Sequence, residues 1–215
     1  MLELHFHPLA SWCWKVLIAL YENQTPFEPK HVDLMDPAER EALERLWPFG
    51  KFPVLHDPER GRTVAESSIV IEYLSAHYPG PVELIPTERE LALEARLRDR
   101  IYDFHVHDLM NRIVFNRLRP EEHRDSYGSE RLKADLQKHY DLIERHFVAR
   151  PWALGERFTI ADCAAAPALF YADKVSPIGA ARPELAAYLA RLCQRPSFAR
   201  VLREAEPYLQ YFPGG

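Results

Sequence analysis

Long apolar runs are missing from this chain. The stretch 163–172 is apolar but contains Pro167, and it falls far short of the ~20 residues that cross a bilayer. No secretory leader is expected, because Glu3 and His5 interrupt the place where its apolar segment would lie. Cysteine is scarce. Cys13, Cys163 and Cys193 are odd in number and far apart, which argues against a disulfide framework and for a reducing, cytoplasmic setting. An excess of positive charge is lacking too, with 27 Lys and Arg against 32 Asp and Glu, so nucleic acid is not an expected partner. Several reaction motifs are also absent. No G-x-S-x-G elbow occurs, and Gly50-Lys51 lacks the upstream glycine of a phosphate loop. Cys13 has no second cysteine three residues away, which removes the dithiol redox motif. His105 and His107 fall on different faces of a helix, and His5 and His7 share a strand face without a third ligand, so no metal is expected.

What is present is the composition of a folded globular protein, 47% hydrophobic and 27% charged over 215 residues, enough for one large domain or two small ones. The negative charge is uneven. Residues 1–80 carry 7 basic against 12 acidic side chains, while 81–215 carry 20 of each. An anionic ligand of the first third would therefore be held by local donors and helix ends, not by a broad field.

The first 80 residues alternate element types. Leu2, Leu4 and Phe6 alternate with polar residues and predict a strand. A buried helix follows from Ser11 to about Asn23. A second strand is expected at 27–32, on a sheet edge because of Pro29. A charged helix over 37–46 is opened by Asp36 as cap with Pro37 at its first turn. Short strands at 53–56 and 63–65 precede a helix over 67–77, giving the order β-α-β-α-β-β-α. After Pro86 the pattern turns helical. Thr87 with Glu90 reads as a capping box for a long helix whose apolar face is Leu97, Ile101 and Phe104. Leu132, Leu136, Tyr140, Ile143 and Phe147 mark another helix, and Thr159 with Asp162 a second capping box ahead of 163–171. Helices at 184–192 and 197–205 complete an all-helical half. The domains expected are 1–80 and 87–215, joined by 81–86.

Three stretches carry candidate chemistry. Pro53 at the very start of a strand cannot donate to the ladder. A cis Phe52–Pro53 bond would offer the Phe52 backbone to a ligand, and an ordinary trans edge proline is the plain alternative. Ser67 behind Glu66 reads either as a helix cap or as the receptor of an amino-acid head group. In the second case the helix N-terminus and the Ser67 hydroxyl take the carboxylate, and Glu66 takes the ammonium. A free α-amino acid or a γ-glutamyl group presents both charges on one carbon. At the turn into the first helix, Ser11 is either a cap or a hydroxyl placed to stabilise a bound thiolate, while Cys13 reads as a packed small hydrophobe.

These pieces together resemble the cytosolic glutathione transferase family. The residues that carry the resemblance are the reactive first-helix turn, Gly50-Lys51-Phe52-Pro53, Ala65-Glu66-Ser67, the box Phe158-Thr159-Ile160-Ala161-Asp162 and the all-helical second half. The resemblance covers essentially the whole chain. It implies a thioredoxin-like α/β N-terminal domain with a cis proline at Pro53, followed by an all-α C-terminal domain. It further implies glutathione as co-substrate, with Glu66 and Ser67 on its γ-glutamyl end, the Phe52 backbone on its cysteinyl amide, Lys51 near its glycyl carboxylate and Ser11 donating to its thiolate. Alanine at position 10 departs from the pattern, since many serine- and cysteine-type relatives carry the catalytic residue there. A second hydroxyl at the Ser11 position is similar to serine-type, zeta-like, bacterial-style members. By the same resemblance the protein is a cytoplasmic homodimer that conjugates small hydrophobic electrophiles, the chemistry of detoxification. Glutathione-dependent cis-trans isomerisation and a non-catalytic ligand-binding role are the alternatives. The electrophile site is expected at Trp12, Tyr102, His105, Val106, Leu109 and Met110, with the aromatic tail 208–212 as a lid.

Overall fold

The computed structural model describes residues 1–147 and 151–213. Four strands, β1 (Leu2–Phe6), β2 (Phe27–His31), β3 (Val54–Asp57) and β4 (Arg62–Ala65), form one sheet in the order β2-β1-β3-β4. β1 runs parallel to β2 and antiparallel to β3, and β3 is antiparallel to β4. β2 is thus an edge strand, and the missing N–H of Pro29 costs no inner ladder bond. Leu2, Leu4 and Phe6 are buried while Glu3 and His5 are only partly so, the period of two that the sequence predicts.

Helix α1 (Ser11–Glu22) is apolar nearly all round and lies between the sheet and the helical half, with Trp14, Val16, Ile18 and Leu20 fully buried. α2 (Pro37–Leu46) is capped by Asp36, whose Oδ1 accepts from the Ala38 N–H at 2.8 Å. α3 (Ser67–His77) completes the first unit. This is the expected thioredoxin-like arrangement, and an all-helical domain follows it.

That domain contains α4 (Arg89–Tyr102), a π-helical turn (Asp103–His107), α5 (Asp108–Arg117), α6 (Ser126–His146), α7 (Ile160–Val175), α8 (Pro183–Gln194) and α9 (Pro196–Ala205). A 3-10 turn (Glu206–Tyr211) leads out of α9. No helix among the described residues is long and apolar enough to cross a membrane. The Thr159–Asp162 capping box forms as expected. Asp162 also accepts from the Ala153 N–H at 2.8 Å and the Tyr188 hydroxyl at 2.6 Å, so it ties three segments together.

Two expectations fail. The cap of α4 is Glu88, not Thr87, because its carboxylate reaches the N–H groups of Glu90 and Leu91, both at 3.0 Å. The apolar stripe assigned to α4 also faces outward: Leu97 is 49% and Phe104 59% exposed. The buried residues of α4 are Ala92, Ala95, Asp99 and Tyr102. Hydrophobic spacing chose the wrong face because Asp99 reads as a surface residue until its partner is known.

Candidate functional site

β1 passes into α1 through a turn in which the Ala10 N–H donates to the His7 carbonyl at 3.0 Å. Ala10 is the N-cap and has no side-chain acceptor, so the first-turn N–H groups and the positive end of α1 remain unquenched by a cap. Ser11 is the first helical residue. It is buried, and its Oγ lies 2.5 Å from Nε2 of His107 in the π-turn. Trp12 stacks on the His107 ring with centroids 3.7 Å apart and planes inclined by 13°. π-turns gather at functional sites in helices, and this one sits beside the turn singled out in the sequence. Cys13 is fully buried, and burial pushes its thiol far above the usual range, so it packs as an inert small hydrophobe.

Burial, aided by the positive charge of Lys15, lowers the His107 pKa from 6.5 to about 3. The ring is therefore neutral at physiological pH. An acid-sensitive stability follows. The unfolded imidazole takes a proton below pH 6.5, while the folded one refuses it until about pH 3. Unfolding free energy should thus fall with decreasing pH in that window, by up to ~1.4 kcal/mol per pH unit from this group. In His107→Gln the slope, followed by urea unfolding at a series of pH values, should be shallower by close to one proton.

Lys15, one turn beyond Ser11, is completely buried. Its Nζ lies 2.5 Å from Asp99 and 2.8 Å from Asp103, and it donates to the Ser68 hydroxyl at 2.8 Å. Arg100 closes the cluster from the surface, pairing with both carboxylates. Burial, with Asp99 as a like-charged neighbour, raises the Asp103 carboxyl pKa against the pull of Lys15 and Arg100. The sequence predicts a solvated or interfacial face for the charges of 96–103. Asp99 and Asp103 instead join α1, α3 and the helical half in a buried ionic knot, a role that no local pattern marks.

The Phe52–Pro53 peptide is cis. Glu66, the N-cap of α3, holds φ at 66°, a left-handed conformation that costs a non-glycine residue ~1–3 kcal/mol and that clusters at binding sites. It is exposed and its side chain makes no capping bond. Ser67 is the first helical residue, buried, and not a cap. The plain capping reading of Ser67, like that of Ser11, therefore does not hold.

Two cavities meet at these elements. One, of about 710 Å³, is lined by Pro53, Glu66 and Ser67 together with Arg100 and Asp103. The other, of about 450 Å³, is lined by Ala10 and Ser11 and by mostly apolar side chains of α5, α7 and the C-terminal tail. Trp12, Lys51, Phe52 and Asn111 line both. Each of the six candidate site residues thus lines one or both of two cavities that share four wall residues.

The expected electrophile wall is only partly correct. Trp12 and Met110 line the second cavity, and so do Tyr211 and Phe212 of the tail. Tyr102, Val106 and Leu109 are buried in the core instead. His105 points away, its ring edge-on to His139 at 5.2 Å. The wall is built one turn further along, from Asn111, Val114, Phe115 and Leu118. Their three-to-four-residue spacing was a usable signal.

Residues 4–82 match the family model described as "Glutathione S-transferase, N-terminal domain", and residues 126–191 match "Glutathione S-transferase, C-terminal domain". A glutathione S-transferase of Methylobacterium radiotolerans, crystallised in complex with glutathione sulfonate, is 31% identical. The match covers 93% of both chains at a TM-score of 0.80. The chain belongs to the glutathione S-transferase family. Among curated relatives, the stringent starvation protein A homolog of Pasteurella multocida is 28% identical over 198 residues, covering 91% of this family member and 87% of the relative. A probable maleylacetoacetate isomerase of Caenorhabditis elegans is 26% identical over 167 residues, covering 77% and 76%.

Proposed function

We propose that this family member binds glutathione in the larger cavity and presents its thiolate to a small hydrophobic electrophile in the smaller one. The single observation that carries this reading is the shared wall. Trp12, Lys51 and Phe52 border both compartments, and Ser11 sits beside them at the α1 N-terminus. Residues 1–80 form the glutathione-binding unit and 87–215 supply the apolar wall. Glu66 takes the γ-glutamyl ammonium, and Ser67 with the α3 N-terminus takes the adjoining carboxylate. The Phe52 backbone pairs with the cysteinyl amide, and Lys51 approaches the glycyl carboxylate. Ser11 acts as hydrogen-bond donor to the sulfur, not as nucleophile.

The energetics are sufficient. A free thiol has a pKa near 8.5, and lowering it by two units requires ~2.7 kcal/mol in favour of the anion. A charge-assisted hydrogen bond contributes ~1.5–3 kcal/mol and a helix N-terminus up to ~2.

Retention on immobilised glutathione with release by the free tripeptide tests the binding half. In Glu66→Ala the affinity should fall about ten- to a hundred-fold, because the ammonium loses a charged partner. Unchanged retention would move the head group elsewhere. Similarity to a probable maleylacetoacetate isomerase favours a second reading, in which the thiol adds to a double bond and later leaves. Product analysis separates the two, since isomerisation returns glutathione unconsumed. A non-catalytic carrier, the reading that Ala10 favours, would leave the thiol pKa of bound glutathione at its free value.

We also infer a cytoplasmic homodimer. The three cysteines are free. Ile69 on α3, Leu93 and Leu97 on α4 and Phe104 just beyond are 49–62% exposed, and a second copy covering them would account for the outward apolar stripe. Leu97→Glu should then sediment as a monomer while the wild type sediments as a dimer.

A further inference from the structure

The Ser11 hydroxyl has one proton. If that proton points at a sulfur anion, the Oγ lone pairs face elsewhere and need a donor of their own. The group positioned to supply it comes from a remote part of the chain: Nε2 of His107, 2.5 Å from Oγ. From this geometry we propose that His107 is a positioning residue, whose Nε2–H donates to Ser11 and thereby aims the serine proton into the cleft. This inference rests on Ser11 being the thiolate donor.

The imidazole has two neutral tautomers with opposite consequences. With the proton on Nε2, His107 donates to Oγ and Ser11 is free to donate to sulfur. With the proton on Nδ1, Nε2 accepts the serine proton and Ser11 turns a lone pair toward the thiolate, which repels it. The surroundings select between them. Nδ1 of His107 is buried with no hydrogen-bond partner among the described residues. A buried unpaired N–H is rarer than an unpaired acceptor, so the proton belongs on Nε2, where it has one. The Trp12 stack fixes the plane of the ring and covers one of its faces. Burial of the ring and the positive charge of Lys15 also disfavour a second ring proton. The ring therefore stays a neutral donor and takes no part as a base. The glutathione proton leaves to solvent, and His107 keeps its own.

The test titrates bound glutathione by the ultraviolet absorbance of its thiolate, together with conjugation rates on a small aromatic halide, in four proteins. Ser11→Ala should raise the thiol pKa and establish the parent reading; no shift there would sink that reading whatever His107 does. His107→Phe keeps an aromatic ring against Trp12 but has no donor. It should raise the thiol pKa by about one unit and lower the rate at neutral pH about tenfold, with binding to immobilised glutathione retained. His107→Gln restores an N–H donor and should recover most of the loss. A shift in Ser11→Ala but none in His107→Phe would reduce His107 to packing and overturn the inference. Independently of how the variants fold, nitrogen NMR of the wild-type imidazole should find the proton on Nε2. Finding it on Nδ1 overturns the inference equally.

Discussion

On the proposed reading, Ser11→Ala should raise the pKa of bound glutathione by one to two units and slow conjugation at neutral pH about ten- to a hundred-fold, with glutathione affinity nearly unchanged. The magnitude is that of one charge-assisted hydrogen bond to an anion. In the proposed binding mode it falls on the reaction and not on binding, because the tripeptide would be gripped at Glu66, Ser67 and Phe52 while Ser11 would meet only the sulfur. The pH dependence separates this from a general loss of fit. At a pH above the raised thiol pKa, the variant should approach wild-type rate, since the thiolate then forms without help. A variant equally slow at high pH would show that the hydroxyl does something other than stabilise the anion. Wild-type behaviour throughout would move the role to the α1 N-terminus, which carries no side-chain cap.

Lys15→Met should destabilise the protein by about 3–5 kcal/mol, lowering the melting temperature by about 10 °C. Methionine fills much of the same volume, so the loss is not a cavity effect. It arises because Asp99 and Asp103, 2% and 1% exposed, lose their shared ammonium, and the partly exposed Arg100 alone cannot replace it. The expected result is non-additive. Lys15→Met combined with Asp99→Asn and Asp103→Asn should be more stable than Lys15→Met alone, since no uncompensated charge then stays buried. If the single substitution is neutral by thermal and urea unfolding, the knot contributes nothing to stability.

The frame of the molecule was readable residue by residue. Asp36 and Pro37 open α2, Pro29 sits on the edge strand and Thr159 with Asp162 closes the head of α7, all as expected. Each of these is a local rule in which a side chain acts on backbone groups within a few positions. The motifs also singled out Glu66, Ser67, Phe52, Lys51 and Ser11, and the fold brings all five to the walls of the two cavities. Ser11 and His107 stand 96 residues apart, so nothing in either neighbourhood announces the other. The spacing of His107 to His105 bears only on a shared metal and is silent about a serine. The second-cavity wall was misplaced by one turn for a related reason, since a helix shows its apolar side without saying which part meets a cleft.

Local chemistry thus specified the elements, their caps and the order of the motifs, because propensity and capping energies are settled within a turn or two of chain. Assembly alone settled which charged and polar residues went inside. An isolated Lys15, Asp99 or His107 would stay in water, and each is buried here only because a distant partner offsets its lost hydration. That exchange exists only once α1 is docked on α4 and the π-turn.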